Sequence, residues 1–447
     1  VPNTKHVILG AGLAGLSAAY HLAEPFDLFE AEPEVGGVAR SSHIDGFTFD
    51  HAIHVLYTKD AYASQLIRSL LGDNFRALQR SAWIYSSGMF TPYPYQTNLF
   101  GLPASVIFEN LMGLFEARAA PAGLVKNFEE WILSTFGKGF AEKFMLPFNR
   151  KLWAADLQKM GFQWIADRVP QPDFAQILAG ALAPGTDHFG PNATFWYPRT
   201  GGITTLASSF QNFIPPVHTG TRALSIDTKT RAIYFEYGDM CLYSNLISTI
   251  PLPTLVRIMD DVPLRIRELA ASLRANRVIT VNIGIDRSEI SDKHWIYFPE
   301  ADLEFHRISF PMNFSNELVP DGTSSIMIEI SESDTRPIER DGLIDRTIHQ
   351  LQHIGVLRED DRILCSGITE IDPAYVIYGL DHDEMLNEIQ HYLRERGIFS
   401  CGRFGAWRYL NMDHAILSGK EAAEWAMGRG ETTDVRSPMN ALKENTE

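Results

Sequence analysis

The spacing of apolar residues changes three times within the first stretch of the chain. Val7, Ile8 and Leu9 form a short continuous apolar run. "LSAAYHLA" follows at helical spacing with small residues along one face, and "FDLFEAE" returns to a strand-like run. The predicted order is strand, tight turn, helix, strand. Three later stretches carry related patterns. "FWYPRTGGITTLASSFQNF" predicts a turn that enters a helix after Gly202, and "VHTGTRALSIDTKTRAIYFEYGDMCLYSNLISTIPLP" alternates as strands do. "GIFSCGRFGAWRYLNMDHAILSGKEAAEWAMG" predicts a closing strand, then a helix opening on Met412 or Asp413 with Asp413 as its expected cap. Arg403, Trp407, Arg408 and Tyr409 precede that helix as a polar and aromatic collar, more than a cap requires.

Between these returns lie two segments of different character. From Tyr57 to about Thr194 the patterns are amphipathic and helical, as in "AYASQLIRSLLG", "LPASVIFENLMGLFEARAA" and "NFEEWILSTFGKGFAEKFMLPFNRKLW". From about Leu255 to Asp372 they are strand-like, as in "RVITVNIGID", "HWIYFP", "EFHRISFPM" and "SSIMIEIS". The first and last of these contain no proline, as central strands require. The expected division is 1–56, 195–254 and 373–430 as one discontinuous domain, with 57–194 as a mainly helical region. A substrate-facing sheet then occupies 255–372, and 431–447 is a polar, peripheral tail. No internal repeat or low-complexity segment is evident.

At 447 residues, 45% hydrophobic and 21% charged, the chain can bury a large core shared by two or three folding units. A net charge of −16 disfavours a general nucleic-acid or anionic-membrane surface, so an anionic ligand would need a local cluster of basic residues. Three widely spaced cysteines without a CxxC argue against a disulfide framework or a zinc site and suit a reducing cytoplasm, the expected location. No apolar run approaches the ~18 residues of a membrane span. The first buried strand begins so near the start of the sequence that no signal peptide is expected.

The first turn carries chemistry. Gly10, Gly12 and Gly15 give the GxGxxG spacing between strand and helix. Such glycines permit the tight turn, close approach of backbone to a pyrophosphate, and close helix packing. The helix amino end offers unbonded N–H groups to phosphate. Glu30, at the end of the second strand, is placed to hold ribose hydroxyls. A dinucleotide is therefore expected, and the continuation selects which one. "EAEPEVGGVARS" puts Gly36, Gly37 and Arg40 soon after Glu30. This resembles the extended fingerprint of FAD-binding flavoproteins of the amine oxidase, protoporphyrinogen oxidase and UDP-galactopyranose mutase group. The resemblance implies FAD as cofactor, with Arg40 near its phosphates. It also implies an α/β fold: a Rossmann-like FAD domain of the two-dinucleotide-binding-domain type, with an inserted helical region and an inserted substrate-facing antiparallel sheet. Gly402, Arg403 and Met412 of the closing stretch belong to the same cofactor site by that resemblance.

Within the group, the resemblance is to UDP-galactopyranose mutases. "GFTFDHAIHVLYT" is similar to their flavin-facing loop, with His54 at the histidine that lies against the isoalloxazine; the glycine two residues before it is Ala52 here. "NRKLWAADLQKMGFQWIADRVPQP" and "HWIYFPEADLEFHRISFPMNFS" are similar to the segments carrying two phosphate-binding arginines, matched by Arg168 and Arg307, with Tyr297 on the substrate side. Tyr375 in "DPAYVIYGLDHDEML" matches a phosphate-contacting tyrosine, and Tyr409 and Asn411 match polar positions flanking the sugar phosphates. Arg403 matches an arginine near the flavin. Taken singly, Arg168 and Arg307 read as structural ion-pair residues; a satisfied buried histidine is the alternative for His54, and core packing is the equal alternative for Tyr375. The phosphate role rests on their joint occurrence in matching segments. Two guanidinium forks and several hydroxyls suit a nucleoside diphosphate.

The activity implied is exchange of pyranose and furanose forms of an NDP-hexose in polysaccharide biosynthesis. In it, reduced-flavin N5 displaces the diphosphate to give a flavin–sugar adduct that recloses on another hydroxyl. The alternative, sharing the fold and the closing stretch, is an FAD-dependent oxidase or dehydrogenase of the amine oxidase or protoporphyrinogen oxidase type. The nucleotide, the sugar and the oligomeric state stay open. So does the source of electrons, NAD(P)H or another reductant.

Overall fold

The computed structural model describes residues 5–121, 123–165, 168–185 and 193–429; the tail read at 431–447 lies outside them. Its first sheet is assembled from three distant returns of the chain. Lys5–Leu9 runs parallel between Phe26–Phe29 and Met240–Ser248. The carboxyl half of Met240–Ser248 also takes Ile398–Ser400 in parallel along its other edge. Its amino half turns to antiparallel pairing with Ala232–Phe235 and, beyond it, Ala223–Asp227. Val7, Ile8, Leu246 and Ile247 are buried between layers of helices, which is why these strands are continuous apolar runs and not alternating ones.

The helices Leu13–His21 and Met412–Ala426 lie together on one face of that sheet. Their approach is set by glycine. A Cβ on Gly419 would fall 2.1 Å from the Ala14 carbonyl oxygen, and one on Gly15 would fall 1.8 Å from the Gly10 oxygen. The closing helix opens at Met412, as the first of the two readings had it, but Asp413 is not its cap. Asn411 occupies that position with extended φ and ψ of −79° and 174°, and its side chain makes no capping bond. Asp413 is instead buried in the first turn, 3.3 Å from His414 Nδ1, where a carboxylate favours the helix dipole.

The second sheet orders its strands Ile363–Ile371, Arg277–Ile285, Ser324–Glu332, Arg307–Ser309, Trp295–Tyr297, Ala82–Ser86 and Met89–Pro92. The predicted strand segments are all in it. The hairpin Ala82–Ser86/Met89–Pro92, however, comes from the segment read as mainly helical, and its pairing with Trp295–Tyr297 is parallel in an otherwise antiparallel sheet. The signal was present: Ser87 and Gly88, both at positive φ, form the tight turn that a right-twisted hairpin requires, after a run, Ala82–Ser86, that alternates buried and part-exposed. That segment also holds the strand Arg76–Gln79, antiparallel to Thr194–Tyr197, and its helices are Ala61–Leu71, Ala104–Ala119, Phe128–Phe140, Leu146–Trp153 and Phe174–Leu182.

Alternation along Ser324–Glu332 divides the second sheet into two faces. Ile326, Ile328 and Ile330 pack with Ile279, Val281 and Ile283 under the helix Leu343–His353. Met327 faces the other way and packs on Phe47 and Phe49 of the hairpin Ser41–Ile44/Phe47–Asp50. That hairpin is tied to the first domain by buried Asp50. Its carboxylate accepts from Tyr197 Oη at 2.7 Å, Ser41 Oγ at 2.7 Å and the Ile203 amide at 3.1 Å. Burial nonetheless holds its pKa up at about 6.

The glycine contact generates a stability prediction. Gly419→Ala forces a methyl against the Ala14 carbonyl and should cost ~1–3 kcal/mol or more, read as a lower melting temperature with loss of bound flavin. An unchanged melt would mean that the two helices can part freely.

Candidate active site

The loops at the carboxyl ends of the parallel strands line a cavity of about 1070 Å³, running from Gly10, Gly12 and Glu30 to Tyr409, Asn411 and Met412. Pockets for a single small ligand are typically ~300–1,000 Å³, so this one has room for a long cofactor and a second molecule. Its first end is a backbone cradle. Gly10 has φ of +94°, and a Cβ there would lie 2.4 Å from Thr249 Oγ1. The second glycine pair is laid against the first: Gly36 N–H donates to the Ala11 carbonyl at 2.8 Å, and a Cβ on Gly37 would lie 3.2 Å from Gly12 Cα. Glu30 is buried at the strand end and accepts from the Ala11 amide at 2.7 Å and the Glu32 amide at 2.9 Å. Arg40 Nε donates to the Gly37 carbonyl at 2.8 Å, which holds its guanidinium at the cavity wall. These residues fit FAD: side-chain-free backbone for the pyrophosphate, a carboxylate for the ribose, and the helix end at Met412 facing the same space.

At the other end His54 lines the cavity, and its Nδ1 lies 3.1 Å from the Ala52 carbonyl. Because a carbonyl only accepts, Nδ1 carries the hydrogen and Nε2 is left as an acceptor. Burial, with Arg403 and Arg307 nearby, pushes the imidazole down to about 4, so it is neutral at physiological pH. Ala52 itself has φ of +62°, a left-handed conformation that costs a non-glycine residue ~1–2 kcal/mol. The alanine therefore keeps the backbone course a glycine would take, and the loop bears the cost.

The collar is a framework. Arg403 donates through Nε and Nη2 to the Ala374 carbonyl at 3.2 and 2.9 Å, and through Nη1 to the Leu410 carbonyl at 2.9 Å. Its guanidinium lies over the rings of Tyr409 and Tyr375, 4.6 and 5.3 Å from their centroids. Tyr375 and Tyr409 stack at 5.8 Å, and the Tyr409 amide donates to Tyr378 Oη at 2.6 Å. Trp407, at φ of +51°, turns the chain; its carbonyl accepts from His382 Nε2 at 3.1 Å.

Arg307 reaches the same end from the second sheet, beside Tyr297 on the neighbouring strand. Its Nη2 lies 3.4 Å from Tyr375 Oη, and its Nε and Nη2 form a two-point bond to the Glu329 carboxylate at 2.9 and 2.6 Å. Burial raises the Tyr375 phenol while Arg307 opposes the shift.

The structure thus gathers around one cavity His54, Arg307, Tyr297, Tyr375, Arg403, Tyr409 and Asn411, together with Gly10, Gly12, Glu30, Gly36, Gly37, Arg40, Gly402 and Met412. Two residues singled out in the sequence stand outside its lining. Gly15 acts through helix packing. Arg168 donates to the Trp164 carbonyl at 2.8 Å and the Tyr409 carbonyl at 2.6 Å, with its guanidinium 5.0 Å from the Tyr409 ring centroid. Sequence reasoning missed three groups. Asn276 accepts from the Tyr375 amide at 2.8 Å, Tyr378 anchors Tyr409, and Glu329 holds Arg307. Only Glu329 left a usable signal, a lone carboxylate inside the apolar alternation of "SSIMIEIS".

The model of the flavin containing amine oxidoreductase family matches residues 13–426. A reduced UDP-galactopyranose mutase is similar at 30% identity and TM-score 0.93, over 98% of this chain and 98% of that one. A protein from Exiguobacterium sp. 255-15, provisionally named a protoporphyrinogen oxidase, is similar at 18% identity and TM-score 0.73, over 95% and 99% of the chains. A putrescine oxidase redesigned in its cofactor binding is similar at 15% identity and TM-score 0.69, also over 95% and 99%.

The neutral histidines set an acid response. His54, His294 and His382 are each held down to about 4 by burial, below the 6.5 of the unfolded chain. Between those values the unfolded state binds more protons, so each group subtracts stability as pH falls from 6.5 towards 4. Asp50, raised to about 6, and Glu421, also raised by burial, oppose them, while His306, held well below its ordinary value, adds to them. The melting temperature should therefore drop between pH 7 and pH 5; a flat or rising profile would contradict the burial of these rings.

Proposed function

The chain belongs to the flavin containing amine oxidoreductase family and uses FAD, and from that premise we propose that it is a nucleotide-sugar mutase interconverting pyranose and furanose forms of an NDP-hexose. One observation carries the reading: the meeting of Arg307, Arg403, Tyr297, Tyr375 and Tyr409 at one end of the FAD cavity, with the Tyr375 hydroxyl 3.4 Å from Arg307 Nη2. The likeness to a reduced UDP-galactopyranose mutase along nearly the whole chain supports it. The two oxidases share the fold alone at 18% and 15% identity, and a cationic amine would be repelled by Arg403 beside the flavin.

Reduced FAD supplies the nucleophile for exchange at the anomeric carbon. The chain's own residues hold and orient. Arg307, with Nε and Nη2 engaged, has Nη1 left to donate to a diphosphate, each charge-assisted bond contributing ~1.5–3 kcal/mol. Tyr375, Tyr409 and Asn411 add neutral donors, and Arg168 fixes Tyr409 from its backbone carbonyl. Together they keep the departing diphosphate where it can recombine, a proximity effect. Arg403 adds positive charge beside the flavin, and neutral His54 presents Nε2 as an acceptor. Trp153 and Trp164, packed edge to face at 4.8 Å beside Tyr375 and Tyr409, keep that wall dry.

Dithionite-reduced holoenzyme incubated with UDP-, dTDP- and GDP-hexoses should yield furanose isomers of one of them with no oxygen consumed. Absence of isomers from all three, with stoichiometric oxygen uptake on an amine or a porphyrinogen, would replace this reading with the oxidase. Arg307→Ala should lower turnover ~10–100-fold, the loss of one charge-assisted contact, while FAD stays bound; Arg168→Ala, which removes only the support of Tyr409, should lower it by a smaller factor. Flavin loss in either variant would make that arginine structural.

A further inference from the structure

Glu329 is a carboxylate bonded to Arg307, the arginine of the proposed phosphate site, and a site for an anion should exclude it. It is wholly buried within the central strand Ser324–Glu332, directly across from Arg307 on the neighbouring strand. Its Oε2 accepts from Arg307 Nη2 at 2.6 Å, and its Oε1 accepts from Arg307 Nε at 2.9 Å and from the Ile53 amide at 3.2 Å. It therefore joins the arginine to the loop that carries His54. His306 Nε2 lies 3.8 Å from Oε2, but that ring is neutral, held well below its ordinary pKa by burial and by Arg307. Arg307 is thus the one cation bonded to Glu329 among the described residues, and the pair carries no net charge.

We propose that Glu329 is the internal counter-ion of Arg307, a positioning residue that competes with a bound phosphate anion for that guanidinium and so limits how tightly the anion is held. The inference rests on the nucleotide-sugar reading. Nε and Nη2 are committed to the carboxylate along one edge of the guanidinium, and Nη1 has no partner among the described residues. An arriving anion meets a neutral pair presenting one free edge, where an unpaired arginine would present a bare buried cation. A mutase has a use for this, because its diphosphate must stay through the exchange and leave afterwards. The carboxylate also keeps the buried arginine compensated when no anion is present.

The test is calorimetric binding of inorganic pyrophosphate to FAD-loaded protein, with turnover measured in parallel. Glu329→Gln removes the competitor and should tighten pyrophosphate binding ~10-fold or more, with KM and kcat both falling as release slows. Glu329→Asp keeps the charge and should restore the wild-type Kd to within ~3-fold. Arg307→Ala leaves a bare carboxylate at the site, so Arg307→Ala/Glu329→Ala should bind pyrophosphate more tightly than Arg307→Ala alone. That pair of variants decides the matter by itself if Glu329→Gln fails to retain flavin.

Unchanged or weaker binding by Glu329→Gln would overturn the proposal, as would a double variant no better than Arg307→Ala. Isomerisation by the wild type reports separately on the mutase reading. Activity without the pyrophosphate pattern sinks only the counter-ion role, and the pattern without activity sinks only the mutase.

Discussion

Gly419 lets the helix Met412–Ala426 lie so close to Leu13–His21 that any side chain at that position would strike the Ala14 carbonyl. The consequence reaches the whole cavity. The amino end of the closing helix, with Asn411 and Met412, is carried to the side of the space that the first glycine turn opens. Gly402, whose Cβ would meet that of Ala14 at 2.6 Å, brings Arg403 along with it. Without this contact, the cradle at one end of the chain and the collar at the other could not face one ligand.

The chain carries −16 overall, and the carboxylates of Glu30, Glu32, Glu370 and Asp372 share the cavity lining with Arg40, Arg307 and Arg403, while His54 there is neutral. Each of these arginines is fixed by acceptors of the protein itself: Arg40 by a carbonyl, Arg403 by two carbonyls, Arg307 by a carboxylate. Such groups are pre-oriented, so little side-chain entropy remains to be lost when an anion arrives. The arrangement differs from a loose basic patch, whose long side chains would have to be ordered by the ligand.

Much of this was legible in the chain. The apolar run through Val7–Leu9, the glycine spacing and Glu30 gave the dinucleotide cradle, because a phosphate approached by backbone leaves room for few residue types. Strands such as Arg277–Ile285 and Ser324–Glu332 announced themselves by length and β-branched content. The hairpin Ala82–Ser86/Met89–Pro92 was overlooked because its strands are short and stand among strong helical patterns. The expected cap at Asp413 failed for a related reason. Cap preference is worth ~1 kcal/mol, and the chain course imposed at Trp407 and Asn411 outweighs it.

By itself the sequence determined what is enforced locally: glycine where a Cβ cannot fit, apolar periodicity where a face is buried, and an acidic residue at a strand end. Residue identity also brought Arg307, Tyr375 and Arg403 forward as candidates. Tertiary structure alone decided their partners. Arg307 meets Glu329 across a strand pair, Arg403 is spent on the carbonyls of Ala374 and Leu410, and Arg168 lies against Tyr409 outside the cavity lining. Those outcomes depend on sheet register and on the distance between two helices, which are set by groups hundreds of positions apart and leave no mark in any local pattern.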